Sequence, residues 1–371
     1  MKKELAKEEE KEKRSRSELL PEELWIIVAA YAFRDDPSAI ANLRSVCKSL
    51  NVLITNNQNY IVKHSVPRTE HQIPNYYTQH PFLISLRGQL CDFVFRNYTF
   101  QMQFPELASS YIRFSKFGWF LLSRGDVNKT HFFFNPFTRQ KIEIPNSNKR
   151  FMSMCFSSSP SSSDCHVFGW TAGLKSCGVI KRGEQEWNFY GELENSLETN
   201  QHHPIFYKDR CYCMGDRYTV VFNLKNKSLE VLPKSPFWHC SVTDYYLVAD
   251  EEEDNLLAIF VPGDEGKIEI MRYDHSDQIW REIETLKNKT LFLSRTASFI
   301  KQAPVECMKN RICFPKLRDN DYIVYSYENG NYCSFLGDCR NKIPVDLKAL
   351  PNCAWIETVT APTSCREEFQ W

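Results

Sequence analysis

FNPFTRQKIEIP at 134–145 and FNLKNKSLEVLP at 222–233 share one layout: strand end, polar turn, alternating strand, closing proline. A shorter relative, FRNYTFQMQFP, occupies 95–105. The closing prolines stand at 105, 145 and 233, so the gaps are 40 and 88, and the larger gap is twice 44. A further copy is therefore expected near 189, where the chain reads EQEWNFY at 184–190. The acidic-x-x-Trp form returns in Asp277-Gln-Ile-Trp280, 93 residues after Trp187. A sixth, weaker hairpin is YSYENGNYCSF at 325–335, whose Asn329-Gly330 is a strong turn signal.

A period of 40 to 50 residues containing several strand-like stretches is the mark of a β-propeller blade. Trp119 to Leu122 with His131 to Phe134, and Tyr245 to Val248 with Leu256 to Val261, are such stretches. About 290 residues at roughly 45 per unit predict six or seven blades. Neither Trp-Asp nor Gly-Gly occurs, which speaks against WD and kelch repeats. The competing reading is a pair of β-sandwiches with accidental repeats.

The rest of the 371 residues is organised around this region. Lys and Arg total 46 and Asp and Glu total 46, so no net basic field draws nucleic acid to the chain. Residues 1–16 carry seven cations and five anions, which predicts a charged, disordered tail and no secretory signal. Lys11, Lys13, Arg14 and Arg16 form a weak basic cluster of the kind nuclear signals use. The longest apolar run near the start, Leu24 to Phe33, is about half of a membrane span. A protein of the cytosol or nucleus, without membrane attachment, is expected.

In those compartments thiols stay reduced, so disulfides are not expected among the 14 cysteines. Cys211-Tyr-Cys213 is the nearest approach to a metal motif, and packing as small buried hydrophobes is its simpler reading. The Asn97, Asn128, Asn226 and Asn288 sequons have no glycosylation machinery to meet without secretion.

Residues 17–57 read as a helical module. Ser17 suits an N-cap ahead of a helix containing Pro21, and Glu22 and Glu23 suit the positive end of its dipole. Leu20, Leu24, Ile27, Val28 and Tyr31 recur at helical spacing, but Trp25, Ile26 and Ala29 make the other faces apolar too. A second start falls at Asp36-Pro37, followed by Ile40, Leu43, Cys47, Leu50 and Ile54. Ala39, Val46 and Leu53 widen that stripe. About forty residues cannot bury this much apolar surface alone. The module needs a partner, either the β-region of the same chain or another protein. Residues 58–81, with Pro67, Pro74 and Pro81, read as a linker, and 82–371 as the β-region.

LPEELWIIV at 20–28, DDP at 35–37 and VCKSL at 46–50 resemble the F-box, with Leu50 where that motif commonly has Trp. Beyond it, Gly118-Trp119-Phe-Leu-Leu, FNPFT at 134–138, the serine-rich stretch Ser157 to Cys165 and LFLSRTAS at 291–298 complete a wider likeness. Together they look like the plant family of F-box proteins with a C-terminal, kelch-like, KIB-type propeller domain. The resemblance implies a mainly β chain: a three-helix F-box, then a β-propeller. It also implies a non-catalytic substrate receptor of an SCF-type ubiquitin ligase. The F-box would bind a Skp-family adaptor, and through it cullin, while the propeller binds a target protein not named by the sequence. The adaptor-facing residues would be Leu20, Pro21, Leu24, Ile27, Ile40, Leu43, Val46, Cys47 and Leu50.

No nucleophile elbow, zinc-protease helix, Walker loop or dinucleotide fingerprint occurs, so no cofactor is expected. Gly263 to Lys267 and Arg124-Gly125-Asp126 read as turns, and His202-His203-Pro204 as a loop before a strand. Glu251 to Asp254 reads as a solvated hairpin tip, alternatively as bait for a basic partner. Trp119, Trp170, Trp238 and Phe292 are more simply core than target anchors. Two other functions stay open: a scaffold that acts without degradation, and a propeller enzyme, which would need carboxylates or a metal converging at the channel mouth.

Overall fold

The structure is a computed structural model. It describes residues 25–26, 28–29, 52–54, 81–87, 90–95, 98–125, 130–191, 203–214, 219–232, 242–262, 267–303, 306–318, 321–334, 339–340, 348–349, 352–357 and 371. The chain divides into two compact units, Met1–Thr78 and Gln79–Trp371. In the first, Trp25, Ile26, Val28 and Ala29 and then Val52, Leu53 and Ile54 are helical. No helix among the described residues is long and apolar enough to cross a membrane.

The second unit is built from sheets placed around an axis, antiparallel except for one parallel pairing. Blade 2 comprises Ser110–Lys116, Trp119–Arg124, Thr130–Phe134 and Lys141–Ile144. Blade 3 comprises Ser153–Phe156, His166–Trp170, Cys177–Lys181 and Asn188–Tyr190. Blade 4 comprises His203–Tyr207, Arg210–Met214, Thr219–Asn223 and Ser228–Leu232. Blade 5 comprises Val242–Asp250, Asn255–Pro262, Glu269–Asp274 and Ile279–Glu282. In blade 1 the innermost strand comes from the far end of the sequence: Cys353–Ile356 pairs with Phe82–Arg87, followed by Leu90–Phe95 and Tyr98–Gln103.

Five four-stranded blades are thus formed, not the six or seven expected. The sixth repeat lies in a seven-stranded sheet that breaks the pattern. There Lys289–Phe292 inserts between Phe299–Gln302 and Arg311–Arg318, and runs parallel to the latter. The region after 283 carries an extra strand that a count by length cannot separate from a blade.

The first strands stand side by side, from Cys353–Ile356 through Ser110–Lys116, Ser153–Phe156, His203–Tyr207 and Val242–Asp250 to Phe299–Gln302. Closure between the seven-stranded sheet and blade 1 uses a core of Leu83, Phe292, Phe299, Cys313, Val324 and Trp355. Trp355 Nε1 also donates to the Leu293 carbonyl at 2.9 Å. Asn352 ties blade 1 to blade 2: Nδ2 donates to the Ser110 carbonyl at 3.0 Å, and Oδ1 accepts from the Ile112 amide at 2.8 Å.

The sequence repeat has a local cause. In blade 2, Asn135 Oδ1 accepts from the amides of Phe137 and Thr138, and Arg139, four residues on, sits at φ 60°. Asn223 and Lys227 hold the same places in blade 4, with Lys227 at φ 56°. In blade 5, Asp274 Oδ1 accepts from Ser276 and Asp277, and Gln278 has φ 56°. Ser326 and Gly330, at φ 67°, repeat the frame in the seven-stranded sheet. In blades 2, 4 and 5 the copy is a side-chain-capped turn between the two outer strands, and in the seven-stranded sheet it is a backbone-bonded turn; all four end on a left-handed residue. Non-glycine residues in that conformation cost about 1–2 kcal/mol. Gln278 is exposed, so Gln278→Gly should stabilise by up to about 1 kcal/mol and the β-branched Gln278→Val should destabilise by about 1–2 kcal/mol, read from urea midpoints.

The largest core runs through blades 2 to 4. Gly169 and Gly178 face each other in register, and a Cβ on either would stand 2.4 or 2.8 Å from the Phe151 ring. Glycine at both positions makes the slot that this ring fills.

Candidate functional site

The hairpins that follow the innermost strands gather at one end of the ring. Lys116 ends the first strand of blade 2, and Glu251 opens the first hairpin of blade 5. Their side chains meet at 2.6 Å. These blades are separated by two sheets in either direction round the ring, so the pair crosses the axis.

Around it every carboxylate of the 251–254 tip has a partner. Glu252 is 3.4 Å from Lys289 and accepts from Gln302 at 3.0 Å. Glu253 lies 3.5 Å from Lys289 and 3.7 Å from Lys287. Asp254 pairs with Lys208 at 2.6 Å and accepts from the Tyr207 hydroxyl at 2.8 Å, and these two bonds hold its carboxyl below the usual range. Beneath them Lys289 Nζ donates to both oxygens of buried Asp250, at 2.8 and 2.6 Å. The tip is the exposed hairpin that its sequence indicates, but its acids are not free. It is an ion-paired knot joining blades 2, 4 and 5 to the seven-stranded sheet.

Carboxylates do converge here, as a propeller enzyme would require. A general acid, however, needs a carboxyl held above its ordinary value. These groups face lysines, and the one with a clear shift moves the other way. No cluster of three His, Cys, Asp or Glu side chains suited to a metal occurs among the described residues.

One Ser–His pair was not anticipated from sequence. Ser123 Oγ lies 2.9 Å from His131 Nδ1 and accepts from Arg113 Nε at 2.9 Å. Both Ser123 and His131 are buried inside blade 2, with the His131 ring against the packed Phe151–Trp187 pair. No substrate reaches this serine. Burial first, and then the Arg113 charge, lower the His131 pKa to about 4, so the ring is neutral.

The end of the ring where the innermost strands begin is different. Tyr111 on the first strand of blade 2 is 55% exposed, and Met152, just before blade 3, is 43% exposed. Arg113 connects them: it follows Tyr111 on the same side of the strand, at a bulge, and Nη1 donates to the Met152 carbonyl at 3.4 Å. Its pKa is lowered by burial and then by the neighbouring Arg150 charge. Neither Arg113 nor exposed Arg150 has a carboxylate partner among the described residues. Across the opening, Arg295 is 69% exposed and pairs with Asp244 at 3.2 Å. Tyr, Met and Arg exposed together are the composition of a protein-binding surface.

The adaptor-facing candidates Leu20, Pro21, Leu24, Ile27, Ile40, Leu43, Val46, Cys47 and Leu50 lie outside the described residues. Among the aromatic candidates, Trp119, Trp170 and Phe292 are buried core, and Trp238 lies outside the described residues. Cys211 and Cys213 are fully buried beside Cys155 and Cys177, and burial pushes the Cys155, Cys177 and Cys213 thiols well up. Cys155 and Cys211 sulfurs are 3.4 Å apart as free thiols. Cys333 departs from the expectation of reduced cysteines, since it is disulfide-bonded, on a strand whose register sets it opposite Cys339.

Comparison with known proteins accounts for this architecture. The KIB1-4 beta-propeller family matches residues 83–334. An F-box/kelch-repeat protein of Arabidopsis thaliana is 28% identical over 258 residues, which are 63% of this chain and 69% of that protein. An F-box protein of the same plant is 24% identical over 288 residues, 68% of this chain and 70% of its own length. Another is 40% identical over 84 residues, 21% of this chain and 59% of its own. The match spans the blades and their capped turns, and the chain belongs to the KIB1-4 β-propeller family, in the form carried by plant F-box proteins.

Proposed function

We propose that this protein is a substrate receptor of an SCF-type ubiquitin ligase. Residues 17–57 act as the F-box and bind a Skp-family adaptor, and through it cullin. The propeller holds a target protein. Catalysis is by proximity: the chain brings target lysines near a ubiquitin-loaded enzyme and forms no covalent bond itself. The cytosol and nucleus are where it would act.

The observation that carries this reading is the union, in one chain, of the LPEELWIIV–DDP–VCKSL motif at 20–50 with a propeller whose relatives are named F-box proteins. A propeller suits the receiving half because it offers two ends on a ring, and here one of them exposes Tyr111, Met152 and Arg150, an arginine with no carboxylate partner among the described residues.

Co-expression with a Skp-family adaptor followed by size exclusion tests it. The native chain should elute as a one-to-one complex. Burial of one leucine contributes roughly 1.5–3 kcal/mol, so Leu20→Ala with Pro21→Ala should weaken the complex by at least about tenfold. Absence of a complex with any adaptor tested would overturn the proposal. An adaptor complex that leaves target abundance unchanged when the proteasome is blocked would point to a scaffold.

A further inference from the structure

The two ends of the ring differ in how their charges are satisfied. At the hairpin-tip end, lysines and carboxylates neutralise one another, and Lys116–Glu251 spans the axis. At the strand-start end, Arg113 bonds the Met152 carbonyl two residues along from exposed Arg150, neither arginine has an acid among the described residues, and Tyr111 and Met152 are exposed beside them. Two adjacent guanidinium groups repel, and the arrangement gains most from an anion placed between them. Arg113 is also held in advance, by Ser123 on one nitrogen and the Met152 carbonyl on another. A partner therefore meets an arginine whose side-chain entropy is already spent.

We propose that this mouth, beside blades 2 and 3, receives an acidic segment of the target protein. An aspartate or glutamate lies between Arg113 and Arg150, and an adjoining apolar or aromatic side chain packs on Tyr111 and Met152. This rests on the reading of the propeller as the target-binding half. Charge complementarity selects the acidic partner, and the exposed aromatic and thioether surface requires an apolar neighbour beside the acid.

The probe is a fluorescein-labelled glutamate–tyrosine copolymer, titrated with the full chain and followed by anisotropy. Polyglutamate, a lysine–tyrosine copolymer and a single-stranded oligonucleotide serve as comparisons. The glutamate–tyrosine copolymer should bind most tightly, and binding should weaken as salt rises. Arg150→Glu and Tyr111→Ala should each weaken it by at least about fivefold. Arg272→Glu, an exposed arginine on the outer part of blade 5, should leave it unchanged. If Tyr111→Ala lowers the melting temperature, Arg150→Gln decides in its place, because that side chain is exposed.

No binding of the copolymer, or equal losses in the Arg150 and Arg272 variants, overturns the proposal. Equal binding of polyglutamate removes the apolar half of it and overturns it as stated. An oligonucleotide bound as tightly through Arg150 would assign the mouth to phosphate instead. Adaptor binding, measured on the same preparations, depends on Leu20 and Pro21 and not on Arg150, so failure of this surface and failure of the ligase reading are distinguishable.

Discussion

Lys289→Ala should destabilise the propeller by about 3–5 kcal/mol, the largest loss expected from any single charged residue among the described ones. Lys289 is 6% exposed at the side chain and Asp250 5%, and they bond through both carboxylate oxygens. Burial alone would lower the lysine pKa, but the Asp250 bond, and then the charges of Asp250, Glu253 and Glu252, outweigh it and raise the value. Without the ammonium, Asp250 stays buried with an uncompensated charge, and Glu252 and Glu253 lose a shared cation. The double variant Lys289→Met with Asp250→Leu removes both charges and should recover most of the loss, because a packed apolar pair needs no counter-ion. Urea unfolding of the two singles and the double gives the cycle. A single-variant loss under about 1 kcal/mol, or a double as damaged as the two singles together, would show that the pair is not desolvated in solution.

The same tip contains ion pairs of a second kind. Glu251 and Asp254 are 61% and 64% exposed at their side chains, so Lys116–Glu251 and Lys208–Asp254 belong to the class worth less than about 1 kcal/mol each. Their contribution is geometric. Lys116 and Glu251 come from opposite sides of the ring, and their contact leaves few charges at that end for a partner. The functional contrast between the ends thus follows from which lysines reach the acidic hairpin.

That contrast was not legible in the sequence, and the reason is separation. Lys116 and Glu251 are 135 residues apart, and Asp250 and Lys289 are 39 apart. Local pattern carries no information about such pairings, so the acidic run at 251–254 read correctly as an exposed tip while its ion pairs went unread. The repeat was legible because its cause is local. Asn135 with Arg139, Asn223 with Lys227, and Asp274 with Gln278 each close a turn within five residues, and that turn leaves the same mark in blades 2, 4 and 5. Blade number was read less well. The inserted strand Lys289–Phe292 has the length and composition of a blade strand, and only its parallel pairing with Arg311–Arg318 betrays it. The innermost strand of blade 1, Cys353–Ile356, was equally hidden, since its partner lies near the start of the second unit. Tyr111 and Met152 carried no signal at all: their exposure is decided by where the first strands of blades 2 and 3 begin.

His131 yields the other large effect, and its sign is fixed by burial. The ring is buried against the Phe151–Trp187 pair, Nε2 has no hydrogen-bond partner among the described residues, and the Arg113 guanidinium stands one serine away. Charge on the imidazole is opposed by desolvation and by that arginine, so its pKa falls from 6.5 to about 4 in the folded chain. In the unfolded chain the ring takes up its proton near 6.5. As pH falls from 6.5 towards 4 the unfolded state gains a proton that the folded state does not, and stability drops by roughly 1.4 kcal/mol per unit, about 3 kcal/mol in all. Partly buried His166 and exposed His275 are also lowered, by desolvation first, and add to the slope in the same direction. Comparison with His131→Gln isolates the buried ring, because glutamine keeps a polar partner for Ser123 but does not titrate. Urea midpoints at pH 6.5, 5.5 and 4.5 should fall more steeply in the native chain than in the variant. Parallel slopes would mean that water or a local opening reaches His131, and the rigid seat assigned to Arg113 would go with it.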